Sequence, residues 1–281
     1  MDYRIHENGW TVIVDDFDLK KATPEDISLI GKLLATQTVV VFKNQSFTLE
    51  EETEVIKKFP NPEHLNPAQI ADSSHLDRVV IKNTDDMLVR VTGELDEHGR
   101  PGLFAHTVDL DWHCNHSSNP WRKPLVWLYS VKGTVGSRTS WMNNHLSYLD
   151  LSEEDKEYYK TIKMINGHQT GKFTPMNFGK EIDINFMYNP DLVYTNQAGV
   201  TGLFFPFLQM YQIVGMDLEE SDKFIQKLRK HVEQEKYIYH HDWQDGEVII
   251  SDQWLGLHKR WEFEAIDKRL LHRASFDYPK F

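Results

Sequence analysis

The sequence predicts an α+β, mainly β fold, a distorted double-stranded β-helix (jelly roll) with helices on its flanks, built as one domain over residues 1–281. Three observations predict it. Short β-branched and aromatic runs recur along the chain and outnumber the helical stretches, and such runs suit a pleated, half-buried surface. The helical stretches sit between and outside those runs, each with its own start signal. A length of 281 residues with 40% hydrophobic content is enough for one large core.

In chain order, Trp10-Thr11-Val12-Ile13-Val14 reads as a first strand. Thr23-Pro24-Glu25-Asp26 then offers a capping hydroxyl, a proline at the first helical position and acids in the first turn, so a helix starts there. Ile27, Ile30, Leu33 and Leu34 recur at helical spacing and form its buried face. Thr38-Val39-Val40-Val41-Phe42 is too continuously apolar for an exposed strand and is expected inside a sheet. A second helix opens at Thr48, with Glu51 in capping-box position, and Pro60 and Pro62 end it.

From Pro60 to Asp77 the composition predicts a surface loop. Arg78-Val79-Val80-Ile81 and Met87-Leu88-Val89-Arg90-Val91 read as strands, and the acidic stretch from Glu94 to Gly102 as a turn whose ligand spacing does not fit an EF-hand. Leu125 to Tyr129 is a further strand. Residues Gly133 to Thr139 form a glycine-bearing turn without the Gly-Lys-Ser/Thr ending of a phosphate loop, leading into Ser140-Trp141-Met142. Ser152 starts another helix. The stretch 167–189 has no sustained period, and its aromatic content predicts a lid over a site. Val193 to Asn196 and Gly202 to Phe207 are read as strands turned by Thr201-Gly202. The clearest helix runs from Asp217 to about Gln234. Finally, Tyr237 to His240 and Glu247 to Ile250 flank Asp245-Gly246, which predicts a hairpin.

Composition excludes several function classes. The net charge of −12 argues against a phosphate-backbone binder, and no groove-reading motif is present, so nucleic acid is not an expected partner. The single cysteine, Cys114, rules out an intrachain disulfide and a Cys-rich zinc site, and suits a reducing compartment. No apolar run approaches membrane-span length, and Met1 to His6 lack the order of a signal peptide. The expectation is a cytoplasmic protein with a small-molecule partner.

The chemistry is concentrated in an unusually polar run, Asp111-Trp112-His113-Cys114-Asn115-His116-Ser117-Ser118-Asn119, set after Val108 and Leu110. A strand that delivers two histidines and an amide at its end looks like one arm of a metal site. A second cluster, Leu257-His258-Lys259-Arg260 followed by Arg269 and Arg273, offers another imidazole and two fixed cations, the last two arginines. An iron site built from His113, His258 and a further ligand at Asn115 or His116 would leave three positions open for a bidentate oxo-acid and dioxygen. Arg269 is expected to return antiparallel to the strand of His258 through an Asp267-Lys268 turn, and its planar fork suits the far carboxylate of that oxo-acid.

The remaining candidates have bland readings. His106, His145, His168, His240, His241 and His272 read as surface or hydrogen-bonded structural residues. Trp112 reads as packing, and Trp254 and Phe204 to Phe207 as core, with pocket lining as the alternative. Asn143 and Asn196 are candidate donors to a polar substrate, while Arg122 and Lys123 read as a solvated loop.

These residues bring a resemblance with them, spanning nearly the whole chain. The sequence resembles the taurine dioxygenase family of Fe(II)/2-oxoglutarate-dependent oxygenases. The family's opening is mirrored by the amphipathic stretch from Asp26 that leads to Val39-Val40-Val41-Phe42-Lys43-Asn44-Gln45. Its Trp-His-x-Asp motif is matched by Trp112-His113-Cys114-Asn115, and its Gly-Gly-Asp-Thr turn by Gly136-Ser137-Arg138-Thr139. Its closing segment is similar to Ser251-Asp252-Gln253-Trp254-Leu255-Gly256-Leu257-His258 and Lys268-Arg269-Leu270-Leu271-His272-Arg273.

The resemblance implies that His113 and His258 bind iron, that Thr139 and Arg269 hold the distal carboxylate of 2-oxoglutarate, and that Arg273 meets an anionic group of the substrate. It implies Fe(II), 2-oxoglutarate and dioxygen as cofactor and cosubstrates, and hydroxylation of an unactivated C–H bond in a small polar, anionic or amino-acid-like substrate. It is compatible with a homo-oligomer. The departure is Asn115, which stands where the family has its iron-binding aspartate. Four readings follow: Asn115 ligates through its amide oxygen; His116 replaces it; the position admits a halide, as in related 2-oxoglutarate-dependent radical halogenases; or the chain is a degenerate ligand-binding protein.

Overall fold

The computed structural model describes residues 1–65, 79–99, 101–102, 108–115, 123–169, 182–264 and 269–281. The chain begins with β1 (Arg4–Ile5) and β2 (Val12–Val14), and then enters α1 (Pro24–Gln37). Thr23 caps this helix in a reciprocal capping box with Asp26, worth about 1 kcal/mol. The chain continues through β3 (Val39–Phe42), α2 (Leu49–Ile56) with its Thr48/Glu51 box, β4 (Val89–Thr92), β5 (Leu110–His113), β6 (Leu125–Lys132) and β7 (Arg138–Met142). Two short helices, α3 (Asn144–Leu149) and α4 (Glu153–Tyr159), precede β8 (Met164–Gln169), β9 (Ile182–Tyr188), β10 (Val193–Thr195), β11 (Thr201–Leu203) and β12 (Met210–Ile213). Helix α5 (Leu218–Val232), boxed by Asp217 and Glu220, leads to β13 (Ile238–Asp242), β14 (Val248–Asp252), β15 (His258–Arg260) and β16 (Leu270–Phe276).

The strands form a large sheet ordered β1-β2-β3-β14-β6-β16-β4 and a smaller one ordered β13-β7-β15-β5. The two face each other: Ile13, Val41, Leu128, Ile249 and Leu271 of the large sheet pack in one cluster with Trp141 and Tyr239 of the small one. The outer face of the large sheet is covered by α1 and α2, whose Ile30, Leu34, Val55 and Ile56 meet Val40, Trp127 and Ile250. The outer face of the small sheet carries Trp112, Cys114, Met142 and Leu257, packed against Phe224, Ile225 and Leu228 of α5. The mainly-β architecture with flanking helices is therefore the expected one.

Several local expectations change. Of the strand read at residues 78–81, Arg78 lies outside the described residues and the rest holds an isolated bridge between Val80 and Val89. The Asp245-Gly246 turn does not close a hairpin, because β13 pairs with β7 in the small sheet while β14 pairs with β3 and β6 in the large one. Gly246, at φ +82, lies where a Cβ would meet the Gln45 carbonyl at 2.8 Å, so the glycine serves a crossing between sheets. In the same way β15 and β16 belong to different sheets, so Arg269 does not return beside His258 in an antiparallel pair; the Asp267-Lys268 turn lies outside the described residues. Thr201 and Gly202 are strand residues of the β10/β11 pair rather than its turn. The edges of the stretch read as a lid are strands, since β8 and β9 pair antiparallel; residues 170–181 between them lie outside the described residues.

Candidate metal and anion site

The site lies between the facing sheets and starts at the end of β5. Alternation sends Trp112 and Cys114 into the outer core, and His113 and Asn115 to the inner face, where both are buried. His258, the first residue of β15, stands in register opposite His113. Their ring centroids are 4.2 Å apart, and Trp141 of β7 stacks behind His258 at 6.4 Å. His113 Nδ1 lies 2.7 Å from the Asp111 carbonyl. A carbonyl can only accept, so Nδ1 carries the proton and Nε2 the lone pair.

Burial sets the charge of both rings. It lowers His113 to about 4, aided by the cations of Arg260 and Arg273, and holds His258 well below the ordinary range. Both imidazoles are therefore neutral at pH 7, the form that binds a metal. His258 Nδ1 is buried without a hydrogen-bond partner. Two neutral imidazoles side by side, one with an unsatisfied nitrogen, fit a divalent cation. Among the described residues no group of three His, Cys, Asp or Glu side chains assembles, so a metal held here would have two imidazoles and whatever stands at the place of Asn115. His116 lies outside the described residues.

The opposite wall comes from β16. Leu271 faces the small sheet, and period-two alternation puts Arg269 and Arg273 on that same face. Both are buried. Arg273 Nη1 donates to Asn115 Oδ1 at 3.1 Å, and Arg269 Nε donates to Ser137 Oγ at 3.1 Å. Burial lowers Arg269 to about 9, and the charge of Arg260 pushes the same way. Arg260, two residues after His258 and in register opposite Thr139, is lowered to about 10 by burial; its Nη2 donates to the Val108 carbonyl at 2.7 Å. The guanidiniums of Arg260 and Arg269 both lie over Phe263, at 5.3 and 5.0 Å. Buried cations are gathered in this pocket, and among the described residues Arg269 and Arg273 meet only neutral groups through their hydrogen bonds. Buried cations of this kind call for an anion.

Sequence reasoning placed His113, Asn115, His258, Thr139, Arg269 and Arg273, and the structure gathers all six between the sheets. Thr139 accepts a hydrogen bond from Trp243 Nε1 at 2.9 Å, leaving its hydroxyl proton for a further partner. Of the two other substrate candidates, Asn196 has a structural role, and Trp254 shows the aromatic packing of its core reading. Asn196 closes the β10/β11 turn: its Oδ1 accepts from Ala198 N and Val200 N, and its Nδ2 donates to the Ala35 carbonyl. Trp254 stacks on Tyr194 with centroids 4.2 Å apart and packs on Phe204. Asn143 caps α3, and Lys123 pairs with Asp277, while His106 and Arg122 lie outside the described residues. His145, His240, His241 and His272 are hydrogen-bonded structural groups as expected.

Three contributors were missed. Arg260 was legible from its spacing to His258, since residues two apart on a strand share a face. Gln253 had no local signal: its Oε1 accepts from Asn115 N at 2.8 Å and its Nε2 donates to the Lys123 carbonyl at 2.9 Å, which pins the arm of β5. Gln209 ties to the same arm through the Cys114 carbonyl at 3.3 Å. Its Oε1, with both polar atoms of the nearby Asn166, is buried without a partner.

A mainly-β framework of two facing sheets, with two buried histidines facing each other and buried arginines on the opposite wall, fits the class of metal-dependent, anion-binding enzymes. Residues 6–275 match the family model described as "Taurine catabolism dioxygenase TauD, TfdA family", and the chain belongs to that family. Membership carries the reaction class with it: an α-ketoglutarate-dependent (2-oxoglutarate-dependent) dioxygenase, an oxidoreductase whose cofactor and cosubstrates are Fe(II), 2-oxoglutarate and dioxygen.

Relatives are distant. The chain is 23% identical to (S)-phenoxypropionate/alpha-ketoglutarate-dioxygenase of Sphingobium herbicidovorans, over 83% of this chain and 79% of that protein. It is 20% identical to the alpha-ketoglutarate-dependent 2,4-dichlorophenoxyacetate dioxygenase of Burkholderia sp. strain RASC, over 93% and 89%. Among solved structures, AAD-2 in complex with Mn(II) and N-oxalylglycine superposes with a TM-score of 0.77 at 17% identity, covering 98% of this chain and 96% of that one. In the described residues no helix is long and apolar enough to cross a membrane.

Proposed function

We propose that this dioxygenase oxidises an unactivated C–H bond of a small polar substrate that carries a carboxylate. The observation behind this reading is the pairing of neutral His113 and His258 across from Arg269 and Arg273, two buried cations that meet only neutral hydrogen-bond partners among the described residues. Two relatives support the substrate class, since the phenoxypropionate and dichlorophenoxyacetate for which they are named are both carboxylates. The unpartnered amide atoms of Asn166 and Gln209 near the same arm support a substrate with further polar groups.

His113 and His258 would hold Fe(II) through neutral ring nitrogens. When bound, the metal with 2-oxoglutarate and dioxygen supplies the oxidising chemistry. The chain's own part is placement. Arg269, oriented by Ser137 and Phe263, presents its fork to the distal carboxylate of 2-oxoglutarate, with the Thr139 hydroxyl as a further donor. Arg273 receives the anionic end of the substrate from the same wall, which brings substrate and cosubstrate close to the histidine pair. The two sheets exclude water and strengthen each charge contact.

Addition of Fe(II) and 2-oxoglutarate without oxygen should give a visible charge-transfer band. Admission of oxygen with a carboxylate substrate should then give succinate. A folded protein that shows no band at millimolar ligand overturns the proposal.

A further inference from the structure

Asn115 is held in an orientation that matters. Its backbone N–H is fixed by Gln253, and its Oδ1 accepts from Arg273 Nη1 at 3.1 Å. The other branch of the amide, Nδ2, is buried without a hydrogen-bond partner. A primary amide nitrogen is a donor only and offers no lone pair to a metal. Beside it stands Arg273, 6% exposed, whose hydrogen bond goes to a neutral oxygen and which forms no ion pair among the described residues. A buried donor without an acceptor and a buried cation without an ion pair are each costly alone, and a single anion would satisfy both.

We propose that Asn115 and Arg273 form a carboxylate cradle beside the histidine pair, and that a carboxylate of the substrate, rather than Asn115, supplies the negative charge at the third position of the metal site. This rests on the reading that His113 and His258 hold a divalent metal. An aspartate at residue 115 would neutralise Arg273 within the protein and fill that position permanently. The amide instead leaves Arg273 its charge and turns N–H donors toward an incoming ligand. A carboxylate fits because its two oxygens can accept in one plane from a guanidinium on one side and an amide on the other.

Metal and carboxylate must then bind with positive coupling, and the coupling is reciprocal. Co(II), which is stable in air, is titrated into the metal-free protein in chloride-free buffer without 2-oxoglutarate, with acetate as the probe and perchlorate as the ionic-strength control. Acetate should tighten Co(II) binding by about 10-fold, within the usual range for coupled sites. Asn115→Leu should keep the acetate-free affinity, Arg273→Gln should keep or raise it because a nearby cation is removed, and both should lose the response. Asn115→Asp should bind Co(II) more tightly without acetate and no longer respond.

A wild-type protein indifferent to acetate overturns the cradle alone, as does a drop in acetate-free affinity in Asn115→Leu, which would make the amide a ligand. Chloride matching acetate overturns the carboxylate assignment. If Arg273→Gln does not fold, Asn115→Leu decides. Folded wild-type protein that binds no Co(II) overturns the metal reading and this one with it.

Discussion

His113 and His258 face each other in register across the β5/β15 pair, with ring centroids 4.2 Å apart and the Nδ1 of His258 unsatisfied. The position is arranged for a ligand at the expense of the metal-free fold. Replacing His258 with leucine should remove a metal donor and a buried unsatisfied nitrogen together. The metal-free variant is expected to be more stable by about 1–3 kcal/mol, while Co(II) affinity falls by at least about 100-fold, beyond the loss typical of removing an outer hydrogen-bond partner. Thermal melting and a metal titration on the same preparation check both halves, and an unchanged affinity contradicts the assignment.

Arg269 presents a planar fork, and its orientation comes from Ser137 and Phe263. Lysine at that position keeps a charge and loses the bidentate geometry. Arg269→Lys should weaken 2-oxoglutarate binding by about 10- to 100-fold, the size of one or two charged hydrogen bonds. Anaerobic calorimetry on the Co(II)-loaded protein measures it. Equal affinity in the two proteins would place the distal carboxylate elsewhere.

What could be read from the sequence follows from the range of the forces involved. Thr23, Thr48 and Asp217 announced their helices because a capping box closes within three residues. Asp245-Gly246 misled for the complementary reason: the same turn chemistry serves a hairpin and a crossing between sheets, and only distant partners decide between them. His113 and His258 stood out as motifs, yet their juxtaposition depends on pairing between strands far apart in the chain. The contact between Arg273 and Asn115 spans 158 residues and had no local signal. Asn196 looked like a free amide because nothing in its neighbourhood shows that Ala35, on α1, takes its N–H.

His241 provides a test by pH. It is buried between Tyr239 and Glu247, with Nε2 2.8 Å from Glu247 Oε2, and burial outweighs that carboxylate to lower its pKa below the ordinary 6.5. The unfolded chain then binds a proton more readily than the folded one below about pH 6.5. The His241 contribution is accordingly complete above that pH and is lost as the pH falls toward the folded value. His241→Gln should reduce the fall in melting temperature between pH 7 and 5. A parallel pair of melting curves over that interval would show that His241 is protonated in the fold.

Gly256 sits between the Asp252 turn and His258. Asp252 is fully buried and accepts from Trp254 N and Leu255 N, and Tyr278 donates its hydroxyl to the same carboxylate. The chain leaves this turn through Gly256, where a Cβ would stand 2.7 Å from the Asp252 carbonyl oxygen and 3.4 Å from Thr38 Cβ. Backbone on one side and a buried strand end on the other give no room to yield. Gly256→Ala should therefore cost about 1–3 kcal/mol by overpacking and shift the start of β15, which carries His258. Gly199→Ala is the matched control: its φ of +77 makes alanine strained by about 1–2 kcal/mol, but nothing lies within 4 Å of the added carbon and the turn is remote from the histidines in sequence. Both variants should melt several degrees lower, and only Gly256→Ala should also lose Co(II) affinity. Equal affinity in the two would mean that the Asp252 turn does not set the position of His258.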